Sequence, residues 1–347
     1  MGAEMTRVAV TGASGLVGEC LVRLLLGHPD AEVTFLGSHN AAGRDIADVV
    51  PSLKGAISFE CRPPDADEIA RSADVAILAH KSAESLRLTP QLLDAGVRVI
   101  DIGGEFRLRD PALYEQWYGQ EHTALETLAE AVYGLPELHR EQIRSARLVS
   151  NPGCYPTTVI LALAPLLAAG LISHDGINVS SSSGLTGAGR TSGKLFIDAN
   201  EDMRCYALAG HKHRPEMEQE LSAAAGAAVH VTFVPHIIPA NRGILTTIFA
   251  RPVMLLDTDK VRGALAAKYA DEPFVRVRDW GGEVCLANVR GTNVCDVAAE
   301  CVASDGPVIV MAAIDNMLKG ACSQAIQNMN IMFGIDEAAG IGGVRGS

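Results

Sequence analysis

Arg7-Val8-Ala9-Val10-Thr11 runs without a break into Gly12-Ala13-Ser14-Gly15-Leu16-Val17-Gly18. A short apolar run followed at once by small residues reads as a buried strand ending in a tight turn. Leu16, Cys20, Leu21, Leu24 and Leu25 then recur at helical spacing until Gly27-His28-Pro29, and residues 32–36 read as a second strand. This is a β-α-β unit with glycines at its first turn. The alternation continues: residues 75–79 and 97–101 read as buried parallel strands with helical material between them, and residues 148–149 as a short strand. Strands alternating with helices predict an α/β fold with a Rossmann-type doubly wound parallel sheet.

The texture changes further on. Residues 157–169 read as a helix. Residues 178–183, 229–234, 244–250, 275–277, 296–302 and 308–314 then read as longer strands, several too close together to leave room for a helix. That pattern predicts an α+β domain built on a mostly antiparallel or mixed sheet. A last helix is expected over 315–332, with Met317, Leu318, Ala321, Ala325 and Met329 along one side.

The GxxGxxG turn lets a backbone approach a pyrophosphate, and the helix behind it offers N–H groups and a favourable dipole. Gly12, Ser14, Gly15, Leu16, Val17 and Gly18 are therefore candidate dinucleotide contacts. An acid at the end of the second strand would repel a 2′-phosphate. Here the segment is Gly37-Ser38-His39-Asn40 with Arg44 beyond it, so Ser38, His39 and Arg44 point to NADP(H). A short-chain reductase would need Lys four residues after a Tyr, and none of the six tyrosines has one.

Cys154 lies in Ser150-Asn151-Pro152-Gly153-Cys154-Tyr155-Pro156-Thr157, at a turn directly before the 157–169 helix. The positive end of a helix favours thiolate over thiol. The other seven cysteines (20, 61, 205, 285, 295, 301 and 322) form no CxxC pair and are expected to be buried apolar side chains. Gly210-His211-Lys212-His213-Arg214-Pro215-Glu216 brings two imidazoles, cations and a carboxylate together. An imidazole beside a thiol is a recurrent way to activate it; spacing alone does not choose between His211 and His213. No acid or cysteine set completes a metal site around them. Ser183-Gly184-Leu185-Thr186-Gly187-Ala188-Gly189-Arg190 is a further glycine-rich loop able to approach a cofactor.

Composition closes off other classes. A net charge of −12 excludes a basic nucleic-acid-binding face. No signal peptide is visible, and the longest apolar stretch, 159–172, is too short to span a bilayer and holds Pro165. A cytoplasmic protein is expected, with a frayed Gly-rich tail over 338–347.

Together these pieces resemble N-acetyl-γ-glutamyl-phosphate reductases, of the semialdehyde dehydrogenase group. The matching residues include Gly12 to Gly18, Glu105-Phe106-Arg107-Leu108, Tyr133-Gly134-Leu135-Pro136-Glu137-Leu138, the Asn151 to Thr157 run, Ser183 to Arg190 and His211 to Glu216. Pro235-His236, Asn241-Arg242-Gly243-Ile244, Arg290-Gly291-Thr292-Asn293 and Asp315 to Gly320 complete the set. The resemblance implies an enzyme of arginine biosynthesis in which Cys154 takes the acyl group from N-acetylglutamyl phosphate as a thioester that NADPH reduces. His213 would be the acid/base and Glu216 its orienting carboxylate. Arg107, Arg242, Lys212 and Asn151 would bind substrate; Ser183, Gly184, Gly187, Gly189 and Asn316 would serve the nicotinamide end. It further implies a discontinuous nucleotide domain (1–153 with 315–347), a catalytic and oligomerisation domain (154–314), and a homo-oligomer, dimer or tetramer. The chain departs from the family pattern at Ala79-His80-Lys81-Ser82-Ala83, at Asp101-Ile102-Gly103-Gly104-Glu105 and at His39, which stands where an Arg commonly follows the Ser. Aspartyl phosphate, a carrier-bound aminoadipyl or glutamyl phosphate, and a non-catalytic nucleotide-binding regulator are the competing readings.

Overall fold

The computed structural model describes residues 5–80, 83–189, 201–208, 210–279 and 283–342. Lys81, Ser82 and Arg190 lie outside the described residues. The chain divides into two compact units, one running to Pro152 and resuming at Ala321, the other covering Gly153–Gly320.

The first unit is built on six strands: β1 (Thr6–Thr11), β2 (Ala31–Gly37), β3 (Val75–Leu78), β4 (Arg98–Asp101), β5 (Val132–Tyr133) and β6 (Leu148–Ser150). Their order is β2-β1-β3-β4-β6-β5 and every pairing is parallel. Helices cover both faces of such a sheet, so its central strands are apolar throughout: Val8, Ala9, Val10, Val75, Ala76, Ile77 and Leu78 have no exposed surface. The strand order reverses between β1 and β3. A doubly wound sheet binds its ligand in the crevice beyond the carboxyl ends at that switch point. Gly12 and Ala79 follow those two strands.

The second unit has seven strands: β7 (Ile177–Ser183), β8 (Arg204–Cys205), β9 (Val231–Ile237), β10 (Ile244–Ala250), β11 (Val275–Val277), β12 (Cys295–Cys301) and β13 (Val308–Ile314). The order is β11-β12-β13-β10-β7-β9-β8. The sheet is mixed: β7 runs parallel to β9 and β11 to β12, while the other pairs are antiparallel. Helix Cys154–Ala168 is its core. Every residue from Tyr155 to Leu167 is buried, so the helix has no polar face. Three hydroxyls join it to the sheet: Thr158 Oγ1 and Ser181 Oγ each lie 2.8 Å from Thr246 Oγ1. Such buried hydroxyls stay only where they pair.

Several expectations are corrected. The cysteine helix begins at Cys154 itself rather than at residue 157. Its proline at position 156 falls in the first turn, where a missing N–H is tolerated. The strand expected at 229–234 runs from Val231 to Ile237. A helix, Thr258–Tyr269, fits between β10 and β11, capped by Asp257, whose side chain accepts from Lys260 N. The last helix is Cys322–Phe333, and residues 315–321 are turns. There the Asp315 side chain accepts from Met317 N and Leu318 N, a local turn that competes with helix. Cys205 is exposed, and Cys285 and Cys301 are half-buried, so three of the seven cysteines expected inside are not. The tail is tied down through Gly342: Asn330 Nδ2 donates to Ala339 O, and Gly340 packs on the His28 ring, where a Cβ would come within 2.2 Å of it.

Candidate active site

In the first unit the glycine turn meets the geometric demands of a dinucleotide site. Gly12 has φ +72°, and a Cβ there would sit 2.4 Å from Ala79 O on the neighbouring strand. At Gly18 a Cβ would come within 2.3 Å of Gly12 O, so this glycine lets helix Leu16–Leu25 press onto the turn. Gly15 is the N-cap of that helix, and no side chain caps it, leaving its first N–H groups for a ligand. Leu16 and Val17 open the helix. Ser14 Oγ and Ser38 Oγ are 2.8 Å apart, which ties the turn to the end of β2. His39 follows and pairs with Glu84 at 2.7 Å. Arg44 is exposed, and its guanidinium makes no hydrogen bond or ion pair among the described residues.

Two of the residues expected to bind substrate, Asn151 and Arg107, make contacts within this unit. Asn151 Oδ1 accepts from Asn328 Nδ2 at 3.1 Å, and Asn151 Nδ2 donates to Ala321 O at 3.1 Å. Its N–H donates to Asp101 O and its carbonyl accepts from Arg107 Nε. Asn151 therefore pins the last helix through one donated and one accepted bond of its amide. Arg107 is buried; besides Asn151 O, its Nη2 donates to Ile102 O at 2.8 Å. It braces the segment leading into Gly153-Cys154. Nearby Asp101 is fully buried, and desolvation raises its carboxyl to about 6 despite hydrogen bonds from Ser85 and Gly103 N and the charge of Arg107.

In the second unit Cys154 is the first residue of its helix and is half-buried. Helix His213–Ala225 begins with His213 and carries Glu216 one turn later. Glu216 has no exposed surface, and its Oε1 accepts from Gly153 N at 2.7 Å. A charged acceptor on a buried N–H is among the stronger hydrogen bonds of a protein, about 1.5–3 kcal/mol. The carboxylate expected to orient His213 thus grips the peptide immediately before Cys154. One rigid helix sets both the His213 backbone and the cysteine turn.

The two histidines have different surroundings. His211 Nδ1 accepts from His213 N at 3.2 Å, so its proton sits on Nε2, which faces Tyr206 Oη at 3.4 Å. Tyr206 Oη donates to Tyr155 Oη, which in turn donates to His236 O. Tyr155, Phe233 and His213 pack around the His211 ring with centroids 4.8–5.5 Å away. Burial first, then the Lys212 charge, lowers His211 to about 4, while burial pushes Tyr206 up to about 12 and Tyr155 higher still. His211 is a neutral prop under the His213 turn; of the groups linked to it, Tyr155 and His236 lie in runs named from the sequence without a role, and Tyr206 and Phe233 were not named. The signals for the first two were the position of Tyr155 beside Cys154 and of His236 in the Pro235-His236 pair; Tyr206 and Phe233 carry none.

The remaining expected residues of this unit lie between residues 183 and 320. Gly320, named from the sequence only as the end of the Asp315 to Gly320 run, is where a Cβ would lie 2.8 Å from Cys154 Cβ, so its hydrogen keeps room beside the thiol. Asn316 Oδ1 accepts from Gly243 N at 2.7 Å and its Nδ2 donates to Thr186 Oγ1 at 3.0 Å. It locks the 184–189 loop to the start of β10 rather than presenting a free amide. Gly184 allows that loop to touch the 240–242 backbone, where a Cβ would meet Ala240 O at 2.8 Å. Ser183 Oγ donates to Gly184 O, Gly187 lies open, and Gly189 has φ +81°. Arg242 is half-buried, and its guanidinium makes no hydrogen bond or ion pair among the described residues. Lys212 is the residue before the His213 helix and is exposed.

Residues 7–146 match the semialdehyde dehydrogenase NAD binding domain and residues 154–316 the semialdehyde dehydrogenase dimerisation domain. The first unit is thus a nicotinamide-dinucleotide domain. The fold is shared with aspartate semialdehyde dehydrogenase II from Vibrio cholerae (TM-score 0.72, 17% identity, 95% of this chain and 98% of that one). It is shared also with the Candida albicans aspartate semialdehyde dehydrogenase (TM-score 0.68, 16% identity, 95% and 99% covered). In sequence the chain is 46% identical to N-acetyl-gamma-glutamyl-phosphate reductase of Desulfotalea psychrophila over 97% of this chain and 98% of that one. It is 44% identical to the Geobacter sulfurreducens reductase of the same name, with 98% and 99% covered. Full-length matches at this level settle the lineage: the chain belongs to the N-acetyl-γ-glutamyl-phosphate reductase family of semialdehyde dehydrogenases.

Proposed function

We propose that this protein reduces N-acetyl-γ-glutamyl phosphate to N-acetylglutamate 5-semialdehyde and phosphate, with NADPH as reductant and Cys154 as nucleophile, as a step of arginine biosynthesis. The observation that carries the reading is the clamp of Glu216 on Gly153 N, because it couples the Cys154 turn to the helix that His213 opens.

Cys154 sulfur attacks the γ-acyl carbon. The C–S bond forms as the C–O bond to phosphate breaks, and phosphate leaves with the electron pair. His213 takes the thiol proton and returns it to the oxygen that gains charge when the thioester is reduced. A dinucleotide held by its pyrophosphate at Gly12 to Gly18 would supply the hydride from its reduced nicotinamide. The hydroxyl proton then passes back through His213 to the sulfur as the C–S bond breaks, which frees the aldehyde and restores the Cys154 thiol. Glu216 keeps Gly153 and Cys154 fixed through these steps, and Gly320 leaves room beside the sulfur. Arg242, whose guanidinium has no partner among the described residues, is the first cation for the phosphoryl or carboxylate end of substrate, and Lys212 the second.

For the cofactor, Ser38, His39 and Arg44 at the end of β2 support NADPH over NADH. The domain division follows the two units, with hydride donor in residues 5–152 and 321–342 and covalent chemistry in 153–320. A homo-oligomer is expected through the second unit, which matches the dimerisation family. Among the described residues no helix is long and apolar enough to cross a membrane; the cytoplasm is the proposed location, with small-molecule substrate and no nucleic-acid or membrane partner.

The reverse assay tests the reading. N-acetylglutamate semialdehyde, phosphate and NADP⁺ should give NADPH and acyl phosphate. Turnover of aspartate semialdehyde in its place, or equal kcat/KM with NAD⁺ and NADP⁺, would overturn the substrate or the cofactor assignment respectively.

A further inference from the structure

Residues 38–44 after β2 hold no acid in sequence, yet folding brings one to His39. Glu84 lies on helix Ala83–Asp94, and its Oε1 is 2.7 Å from His39 Nε2. His80 Nδ1 lies 3.5 Å from the other carboxylate oxygen, and Arg87 Nη2 lies 3.5 Å from Oε1. The Glu84 side chain is only 19% exposed, while His39 is 59% exposed and turned to solvent. His39 is bonded in sequence to Ser38, whose hydroxyl reaches the glycine turn through Ser14. In a doubly wound sheet this strand end receives the adenosine ribose.

We propose that Glu84 is a specificity-determining residue for the dinucleotide: it holds His39 and lowers the preference for a 2′-phosphate. The inference rests on the NADPH reading above and refines it. A 2′-phosphate seated on Ser38 and His39 brings a dianion within several ångströms of the Glu84 carboxylate, and the two repel. An unphosphorylated ribose meets only the His39–Glu84 pair and feels no such penalty. Glu84 thus supplies from a neighbouring helix the charge that NAD-selective folds carry on β2 itself, and His39, His80 and Arg87 offset part of it.

The test is calorimetric titration of the full-length protein and its Glu84→Gln variant with adenosine 2′,5′-bisphosphate and with AMP. Glu84→Gln should bind the bisphosphate about five- to tenfold more tightly, the size expected for one charge near a dianion in high dielectric, with AMP affinity unchanged within about twofold. The ratio of kcat/KM for NADPH over NADH should rise in the same direction. Equal tightening for both nucleotides, or an unchanged ratio, would overturn the role of Glu84 while leaving the nucleotide site intact. Failure of the unaltered protein to bind either nucleotide would remove the cofactor reading and this proposal with it. A His39→Ala variant guards against a purely structural effect: it should weaken the bisphosphate and spare AMP, and parallel losses for both would count against the proposal.

Discussion

The glycine turn and the cysteine turn both sit at the head of a helix, but they are built differently. At Gly12 to Gly18 the ligand is offered backbone, and what matters is the absence of side chains within one local run. At Cys154 the proposed chemistry is carried by side chains, and their placement depends on residues as far away in sequence as Glu216 and Gly320. The first kind of site is written in one short motif; the second needs the whole domain folded around it.

That contrast can be broken by mutation. The largest effect is expected at Cys154→Ser, which should lower kcat by about 10³-fold or more, as loss of a nucleophile does, with nucleotide affinity unchanged in a binding titration. Next comes Glu216→Gln, which keeps shape but removes the charge gripping Gly153 N. A roughly 10²-fold fall in kcat is expected for misplacing a reacting group by about an ångström, again without loss of nucleotide binding. Gly12→Ala should act the other way round. With φ +72° and Ala79 O at 2.4 Å it destabilises the first unit by about 1–3 kcal/mol, seen in urea unfolding. It should also abolish nucleotide binding, while the burst of phosphate release on acylation of Cys154 survives. If Gly12→Ala silences acylation too, the two sites are not separable. The smallest effect is electrostatic. His211 is lowered from 6.5 to about 4, so the unfolded chain takes up this proton first on acidification. Stability should fall as pH drops from about 6.5 towards 4, and His211→Asn should flatten that part of the curve in denaturant titrations at pH 7 and pH 5.

The parallel sheet was legible because its strands are continuous apolar runs punctuated by glycine, and β10, β11 and β13 stand where their alternation places them. Residues 315–321 were misread as helix because apolar spacing carries no record of the Asp315 side chain competing for the N–H groups of Met317 and Leu318. Arg204–Cys205 is a two-residue exposed strand with no pattern to find. In the site, Cys154 and the His213 helix were visible as residue types in a telling order. The tasks of Asn151, Asn316 and Arg107 were not, since an amide or guanidinium bound to a carbonyl looks the same in sequence as one awaiting a ligand. Glu84 escaped for another reason: it lies on a different element from the strand end it serves.

The anchoring of the last helix by Asn151 also constrains how the chain is made. Asn151 bonds to Ala321 and Asn328, so the nucleotide unit is interrupted by the whole of the second unit before its final piece arrives. During synthesis the first 152 residues emerge with the Asn151 amide unpaired and the face later covered by Cys322–Phe333 still open. The catalytic unit, by contrast, is continuous from Gly153 to Gly320 and can close before the ribosome reaches the end. The half of the molecule that begins first is therefore the half that finishes last, and a chain truncated near residue 320 would hold a completed second unit and a first unit without the helix that seals it.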